Sequence, residues 1–161
     1  MLKKTESEIG NPRFLRVLMV EDSEDDVLLI LRELKKDGYA PEYERVETPE
    51  DLTNALSGKH WDVILCDYRL PRFSAIDALA TIKKLNIDIP VIVVSGAIGE
   101  ETALDCIHRG AHDYIMKGNL TRLGVAIARE LERQEIRIKN RQAEEALCQS
   151  CLLYTSDAAD E

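Results

Sequence analysis

The chain has 161 residues, of which 45% are hydrophobic and 32% charged, and its formal net charge is −9. This length suits one domain with its own hydrophobic core, and the acidic charge argues against a nucleic-acid surface, which needs a basic patch. The sequence has no apolar run of about 18 residues, and its first residues lack the apolar region of a secretory signal. We therefore expect no membrane span and a cytoplasmic location.

Short apolar runs alternate with amphipathic stretches along the chain. The pattern predicts five strands, at 14–20, 43–46, 63–66, 91–94 and 114–116. A helix is predicted after each strand; the first three begin at Ser23, Thr48 and Ser74, the fourth spans about 100–108, and the fifth spans about 120–147. Near-continuous apolar strands are typical of burial on both faces, and their alternation with helices indicates a parallel α/β sheet.

The composition divides the chain into four segments. We expect a polar, disordered lead at 1–13, a globular domain at 14–135, a helical extension or linker at 136–149 and an unstructured tail at 150–161. The apolar residues of the extension predict a signalling connection or a homodimer contact, although its many charges are also typical of a solvated helix. The tail breaks the helical charge pattern, as either a cloning or assembly scar or a native disordered end would.

Residues suited to phosphoryl chemistry follow four of the predicted strands directly. Glu21 and Asp22 follow the first strand, and Asp67 follows the third. Ser95 follows the fourth strand, and Lys117 follows the fifth. Because the carboxyl ends of parallel strands share one edge of the sheet, we expect these side chains to form one site.

The residue types indicate a metal ion and a phosphoryl group at this site. Carboxylates are the ligands that Mg²⁺ prefers, and a carboxylate such as that of Asp67 can act as a nucleophile. The hydroxyl of Ser95 could donate to a phosphoryl oxygen, and the amine of Lys117 could neutralise one. Each residue alone also has an ordinary interpretation, such as an acid favoured at a helix start or a serine in a turn.

Four motifs together resemble the receiver domains of response regulators in two-component signalling. They are Val20-Glu-Asp-Ser, Leu65-Cys-Asp-Tyr-Arg-Leu-Pro71, Val94-Ser-Gly and Gly110-Ala-His-Asp-Tyr-Ile-Met-Lys117. The resemblance covers about 14–135. It implies a flavodoxin-like three-layer fold, with a five-stranded parallel sheet in the order 2-1-3-4-5 and five helices, the last of them extended here.

The resemblance also implies a role for each site residue. Asp67 would be the phosphoacceptor, and Lys117 would offset phosphoryl charge. Glu21, Asp22, Asp67 and the backbone carbonyl of Arg69 would bind Mg²⁺. Ser95 and Tyr114 would form the switch that changes the surface after phosphorylation.

The partners implied by the resemblance are a histidine kinase or a histidine phosphotransfer protein, and an output or sensor domain downstream. No nucleic acid or membrane is expected as a partner. Such a domain is not a classical enzyme, because it catalyses only its own Mg²⁺-dependent phosphorylation and dephosphorylation.

The sequence departs from the family pattern at three places. Gly118 follows Lys117 where the family usually has proline, and Ser74 and Ala75 stand where it often has Asp-Gly. Arg69 places a cation two residues after Asp67, where an aspartate-nucleophile phosphatase would need a second aspartate as its general acid. The remaining alternative is a receiver-like interaction module that binds partners without phosphorylation, and treatment with a small-molecule phosphodonor would distinguish the two.

Overall fold

The computed structural model describes residues 12–96 and 99–159, with side chains described up to residue 149. Five parallel strands form one sheet in the order β2-β1-β3-β4-β5. The strands are β1 (Arg13–Val20), β2 (Tyr39–Val46), β3 (Val63–Cys66), β4 (Val91–Ser95) and β5 (Asp113–Met116). The helices are α1 (Glu24–Lys36), α2 (Pro49–Gly58), α3 (Ala75–Lys84), α4 (Glu100–His108) and α5 (Leu123–Ala159). The predicted fold class is confirmed, while most of the predicted lead, 1–11, lies outside the described residues.

Helices cover both faces of the sheet because alternate strand residues point to opposite sides. Val17 and Met19 of β1 pack with α1 and α5 in one apolar cluster. Leu18 and Val20 pack with α2, α3 and α4 in the other. Burial of each such side chain stabilises the fold by roughly 1.5–3 kcal/mol. The two clusters make the three-layer arrangement that the sequence predicts.

Side-chain caps fix where the first three helices begin. The hydroxyl of Ser23 accepts a hydrogen bond from a backbone N–H of the first turn of α1 at 3.4 Å, and that of Thr48 does the same for α2 at 3.2 Å. At α3, Ser74 and Asp77 form a reciprocal capping box. These contacts satisfy N–H groups that have no partner inside the helix.

Strand β2 is longer than predicted. It begins at Tyr39 rather than near residue 43, and it pairs with β1 along its whole length, from Arg13 with Tyr39 to Val20 with Val46. Pro41 and Glu42, near its start, are weak strand formers, although an edge strand tolerates the proline. Pairing with β1 therefore extends this strand over residues that do not favour it.

The end of the chain differs most from the sequence prediction. A 3-10 helix, Lys117–Arg122, precedes α5, so α5 begins three residues later than expected. It continues to Ala159, so the expectation of an unstructured tail at 150–161 is wrong for residues 150–159. The sequence has no glycine after Gly124 and no proline after Pro90, and without these breakers a helix has no local reason to stop. Every described side chain from 135 to 149 is exposed.

Within the described part of the chain, none of the helices is both long and apolar enough to cross a membrane.

Candidate functional site

The sheet register brings the ends of β1 and β3 together at one edge. Val20 is paired with Cys66, and the backbone N–H of Asp67 donates to the carbonyl of Val20 at 2.9 Å. Glu21 is held on the other side, where its N–H donates to the carbonyl of Val46 at 3.2 Å. Backbone hydrogen bonds of neighbouring strands therefore place the acids that follow β1 beside the acid that follows β3.

Three carboxylates meet at this edge. Glu21, Asp22 and Asp67 can each offer one oxygen, and these oxygens lie within 4.8 Å of one another. The side chains of Glu21 and Asp67 are 3% and 11% exposed, whereas Asp22 is exposed. Several carboxylate oxygens at this spacing, open to water on one side, suit a hard divalent cation.

Lys117 binds this acid cluster from the end of β5. Its Nζ lies 3.0 Å from Oε2 of Glu21 and 3.2 Å from Oδ2 of Asp67. A third carboxylate, that of Asp26 on α1, is closer still, with Oδ2 at 2.6 Å. Burial alone would lower the pKa of Lys117, but its contacts with Asp26 and Glu21 outweigh this and raise it. The amine is therefore a firmly charged cation, which donates hydrogen bonds to Asp26 and Asp67 and forms an ion pair with Glu21.

The environment of Glu21 disfavours its ionised form. Burial raises its pKa from 4.5 to about 7, against the opposing effects of Lys117 and of the backbone N–H of Ser23. That N–H donates to Oε1 of Glu21 at 3.1 Å. The negative charge of Asp67 adds to the rise. Additional positive charge at this site would favour the ionised form of Glu21 over the protonated form.

The candidate switch residues lie on the neighbouring strands β4 and β5. Ser95 is 4% exposed at the end of β4. The hydroxyl of Tyr114 is buried and finds no hydrogen-bond partner among the described residues. Burial raises the pKa of Tyr114, and the nearby hydroxyl of Ser95 opposes that rise, although the two do not meet the geometry of a hydrogen bond. Two residues of the loop after Ser95, 97 and 98, lie outside the described residues.

The places where the sequence departs from the family pattern lie around the acid cluster. Arg69 is exposed, and its backbone pairs with Ser74 in an antiparallel bridge, which closes the loop after Asp67. All described peptide bonds are trans, including the one between Lys117 and Gly118.

Two residues of the site were not predicted from the sequence. Asp26 has the local role of a first-turn acid, but it lies in line with the buried positions Ile30 and Leu34, four and eight residues further along α1. A charged residue on such a buried stripe is a signal that could have found it. Arg45 of β2 donates to the backbone carbonyl of Asp22 at 3.3 Å, and no local pattern indicates this contact.

Comparison with known proteins gives a family match over most of the chain. The model of the response regulator receiver domain matches residues 17–129. The protein-glutamate methylesterase/protein-glutamine glutaminase of Clostridium acetobutylicum is 32% identical over 105 residues, which are 64% of this chain and 30% of that protein. Regulatory protein AtoC of Escherichia coli is 26% identical over 136 residues, 84% of this chain and 29% of that protein. The chain thus spans about 30% of the length of these curated relatives.

Solved structures agree with the family match. The signal receiver domain of a putative Luxo repressor protein from Vibrio parahaemolyticus superposes with a TM-score of 0.68 at 30% identity, covering 76% of this chain and 94% of that one. NtrX from Brucella abortus gives a TM-score of 0.69 at 26% identity, covering 80% of this chain and 29% of that one. The match of sequence, fold and acid cluster confirms the resemblance seen in the sequence, and the chain belongs to the response regulator receiver domain family.

Proposed function

We propose that this protein is a phosphoacceptor receiver domain, in which Asp67 takes a phosphoryl group from a phosphohistidine and thereby changes the surface of the domain. The observation that supports this best is the meeting of Glu21, Asp22 and Asp67 with Lys117 at the carboxyl edge of the sheet. The phosphodonor would be a histidine kinase or a histidine phosphotransfer protein. The chain would catalyse only the phosphorylation and dephosphorylation of its own Asp67, so it is not a classical enzyme.

In the transfer step, a carboxylate oxygen of Asp67 forms a bond to phosphorus in line with the leaving group. The bond between phosphorus and the donor imidazole nitrogen breaks, and the nitrogen keeps the electron pair of that bond. Such a transfer requires mainly positioning and neutralisation of phosphoryl charge. Lys117, with its Nζ 3.2 Å from Oδ2 of Asp67, is within reach of an oxygen on the incoming phosphoryl group.

The acid cluster fits Mg²⁺, which we propose as the cofactor. Glu21, Asp22 and Asp67 would hold it, with the backbone carbonyl of Arg69 as a further ligand. When bound, Mg²⁺ would supply positive charge to the phosphoryl oxygens and relieve repulsion among the carboxylates. The spacing of the three carboxylates supports this assignment, because one oxygen from each lies within 4.8 Å of the other two.

We propose Ser95 and Tyr114 as the switch. A phosphoryl group on Asp67 would draw the hydroxyl of Ser95 inward, and Tyr114 would follow. The unpaired, buried hydroxyl of Tyr114 supports a mobile role, because no hydrogen bond among the described residues holds it in place. The face formed by α4, β5 and α5 would then change by a population shift.

The exposed part of α5 is proposed as the connection to other parts of the signalling system. The receiver domain would occupy 14–135, and the helix after it would lead to an output or sensor domain or contact a second copy. The relatives support a connection, since the matched region covers about 30% of their length.

The buried, free thiols of Cys66 and Cys106 are in keeping with a reducing cytoplasm.

Intact-mass measurement after treatment with acetyl phosphate and Mg²⁺ tests the proposal. The wild-type protein should gain one phosphoryl group, and Asp67→Asn should gain none. Asp25→Asn is the control, because it removes the same charge from the exposed side of α1 and should be phosphorylated like the wild type. A phosphorylated Asp67→Asn variant would contradict the assignment, and an unmodified wild-type protein would favour the interaction module instead.

A further inference from the structure

Asp26 makes the shortest contact of Lys117, at 2.6 Å from Nζ. This contact joins two residues that are 91 positions apart in the chain. We propose that Asp26 is a positioning residue, which holds the amine of Lys117 in place for phosphoryl transfer to Asp67. This inference rests on the proposed function, and it adds to it a residue that none of the four family motifs contains.

The local backbone gives Lys117 little support. It follows β5 as the first residue of the 3-10 helix Lys117–Arg122, and Gly118 is the second. That helix contains a non-helical residue, Asn119, with φ −135° and ψ 49°. A glycine leaves the backbone freer than most residues do, and a lysine side chain has a flexible four-carbon stem. The amine therefore depends on its carboxylate partners for a defined position.

The three partners of the amine are not equivalent. Asp67 would receive the phosphoryl group, and Glu21 belongs to the acid cluster that would share its oxygens with Mg²⁺. Both contacts would be altered during the reaction. Asp26 lies outside that cluster on α1, where its backbone N–H is held by the hydroxyl of Ser23 at 3.4 Å. Its contact with Lys117 can therefore persist from the resting state to the phosphorylated state.

The division of donors on the amine follows from this difference. A protonated lysine has three N–H donors. One donor bonds Asp26 and a second bonds Asp67, while Glu21 lies 3.0 Å away as an ion-pair partner. When a phosphoryl group arrives, the donors that Asp26 does not hold can turn to its oxygens while Asp26 keeps the nitrogen where it is. Loss of Asp26 would leave the amine free to follow the remaining acids, and transfer would slow at any concentration of donor.

The test compares Asp26→Asn with the matched control Asp25→Asn in the full chain. Both variants remove one negative charge from the same turn of α1, but Asp25 is exposed. Phosphorylation by acetyl phosphate with Mg²⁺, followed by intact mass over a range of donor concentrations, separates the maximal rate from the half-saturating concentration. Because hydrogen bonds between charged groups are strong, we expect the maximal rate of Asp26→Asn to fall about tenfold with little change in half-saturation. Asp25→Asn should match the wild type in both.

Two more variants exclude a purely structural effect. Asp26→Ala, which suits a helix, should reproduce the loss, and Asp26→Glu should recover part of the rate because it keeps the charge. Thermal unfolding shows whether each variant is folded at the assay temperature. A maximal rate for Asp26→Asn or Asp26→Ala equal to that of Asp25→Asn would overturn the inference while leaving the proposed function intact. A wild-type protein that gains no phosphoryl group would instead overturn the proposed function, and the inference with it.

Discussion

Replacement of Glu21 by Gln should remove a loss of stability that the wild type shows between acidic and neutral pH in metal-free buffer. Glu21 is 3% exposed, and burial raises its pKa from 4.5 to about 7. The carboxyl group therefore binds its proton more tightly in the folded chain than in the unfolded chain. Stability is lost as the pH rises from 4.5 to about 7, because over this interval the unfolded chain ionises freely and the folded chain does not.

The size of the effect follows from the shift in the pKa. A rise from 4.5 to about 7 corresponds to about 3 kcal/mol at roughly 1.36 kcal/mol per pH unit. Glutamine has nearly the same shape and can still accept the hydrogen bond from the N–H of Ser23, but it cannot ionise. Its amide nitrogen would then face Nζ of Lys117, which lies 3.0 Å from Oε2 of Glu21, and this cost does not change between about pH 4.5 and pH 8. The stability of Glu21→Gln relative to the wild type should therefore rise by about 3 kcal/mol between about pH 4.5 and pH 8.

Urea unfolding in the presence of EDTA measures this difference. Trp61 is the reporter, because it is the single tryptophan, it is 2% exposed, and its indole N–H donates to the carbonyl of Ala55 at 2.9 Å. With a slope of about 1.5 kcal/mol per M urea, a gain of about 3 kcal/mol moves the midpoint by about 2 M. Glu132→Gln, at an exposed position in the interior of α5, is the control and should change stability by less than about 0.5 kcal/mol.

The pH dependence of this stability difference tests whether the pKa of Glu21 is raised. An advantage of Glu21→Gln that is the same near pH 5 as near pH 8 would refute a raised pKa at Glu21. Saturating Mg²⁺ should reduce the advantage near pH 8, because a bound dication favours the ionised carboxylate of the wild type. An advantage that Mg²⁺ leaves unchanged would argue against a cation at this cluster.

Two further predictions concern the opposite end of the sheet and the C-terminal helix. Protonation of His112 should cost stability as the pH falls below 6.5, because burial lowers the pKa of His112 from that value and its Nδ1 accepts a backbone hydrogen bond at 3.0 Å. Glu21 titrates over the same range with the opposite sign, so the comparison is with His112→Asn, which keeps an acceptor without titrating. In urea unfolding, the wild type should lose stability relative to His112→Asn between about pH 7 and pH 5; a difference that does not change with pH would contradict this role. In sedimentation with beryllofluoride, the full chain should form dimers that a chain ending at Gln134 cannot, because exposed apolar residues such as Ile136 and Leu147 lie beyond that point. If both chains stay monomeric in every state, only a linker role remains for the extension.

Local sequence patterns predicted most of the fold. Strand β3 and helix α4 have the predicted bounds, Val63–Cys66 and Glu100–His108, because apolar runs, caps and glycines act over a few residues. The full length of β2 was not predictable in this way, since its first residues form a strand only by pairing with β1. The change of composition after residue 149 predicts an unstructured tail, but α5 continues to Ala159 because no glycine or proline follows to end it.

Close approaches between distant elements were not predictable. Gly124 is an example, because as a sequence feature it only weakens a helix. In the structure, a Cβ at this position would come within 2.6 Å of Cγ of Asp37, so the glycine lets α5 pass close to the end of α1. Asp26 is a second example, because its contact with Lys117 depends on how α1 lies across the end of β5.

The sequence by itself determined the alternation of strands and helices, and it placed Glu21, Asp22, Asp67, Ser95 and Lys117 at strand ends that parallel pairing brings to one edge. Hydrophobic period and capping depend on residues a few positions apart, so they can be read directly from the chain. Only the tertiary structure decided how deeply Glu21 is buried, and which acids the amine of Lys117 contacts. Desolvation and ion pairing depend on distances between elements far apart in sequence, and those distances exist only after the helices have packed onto the sheet.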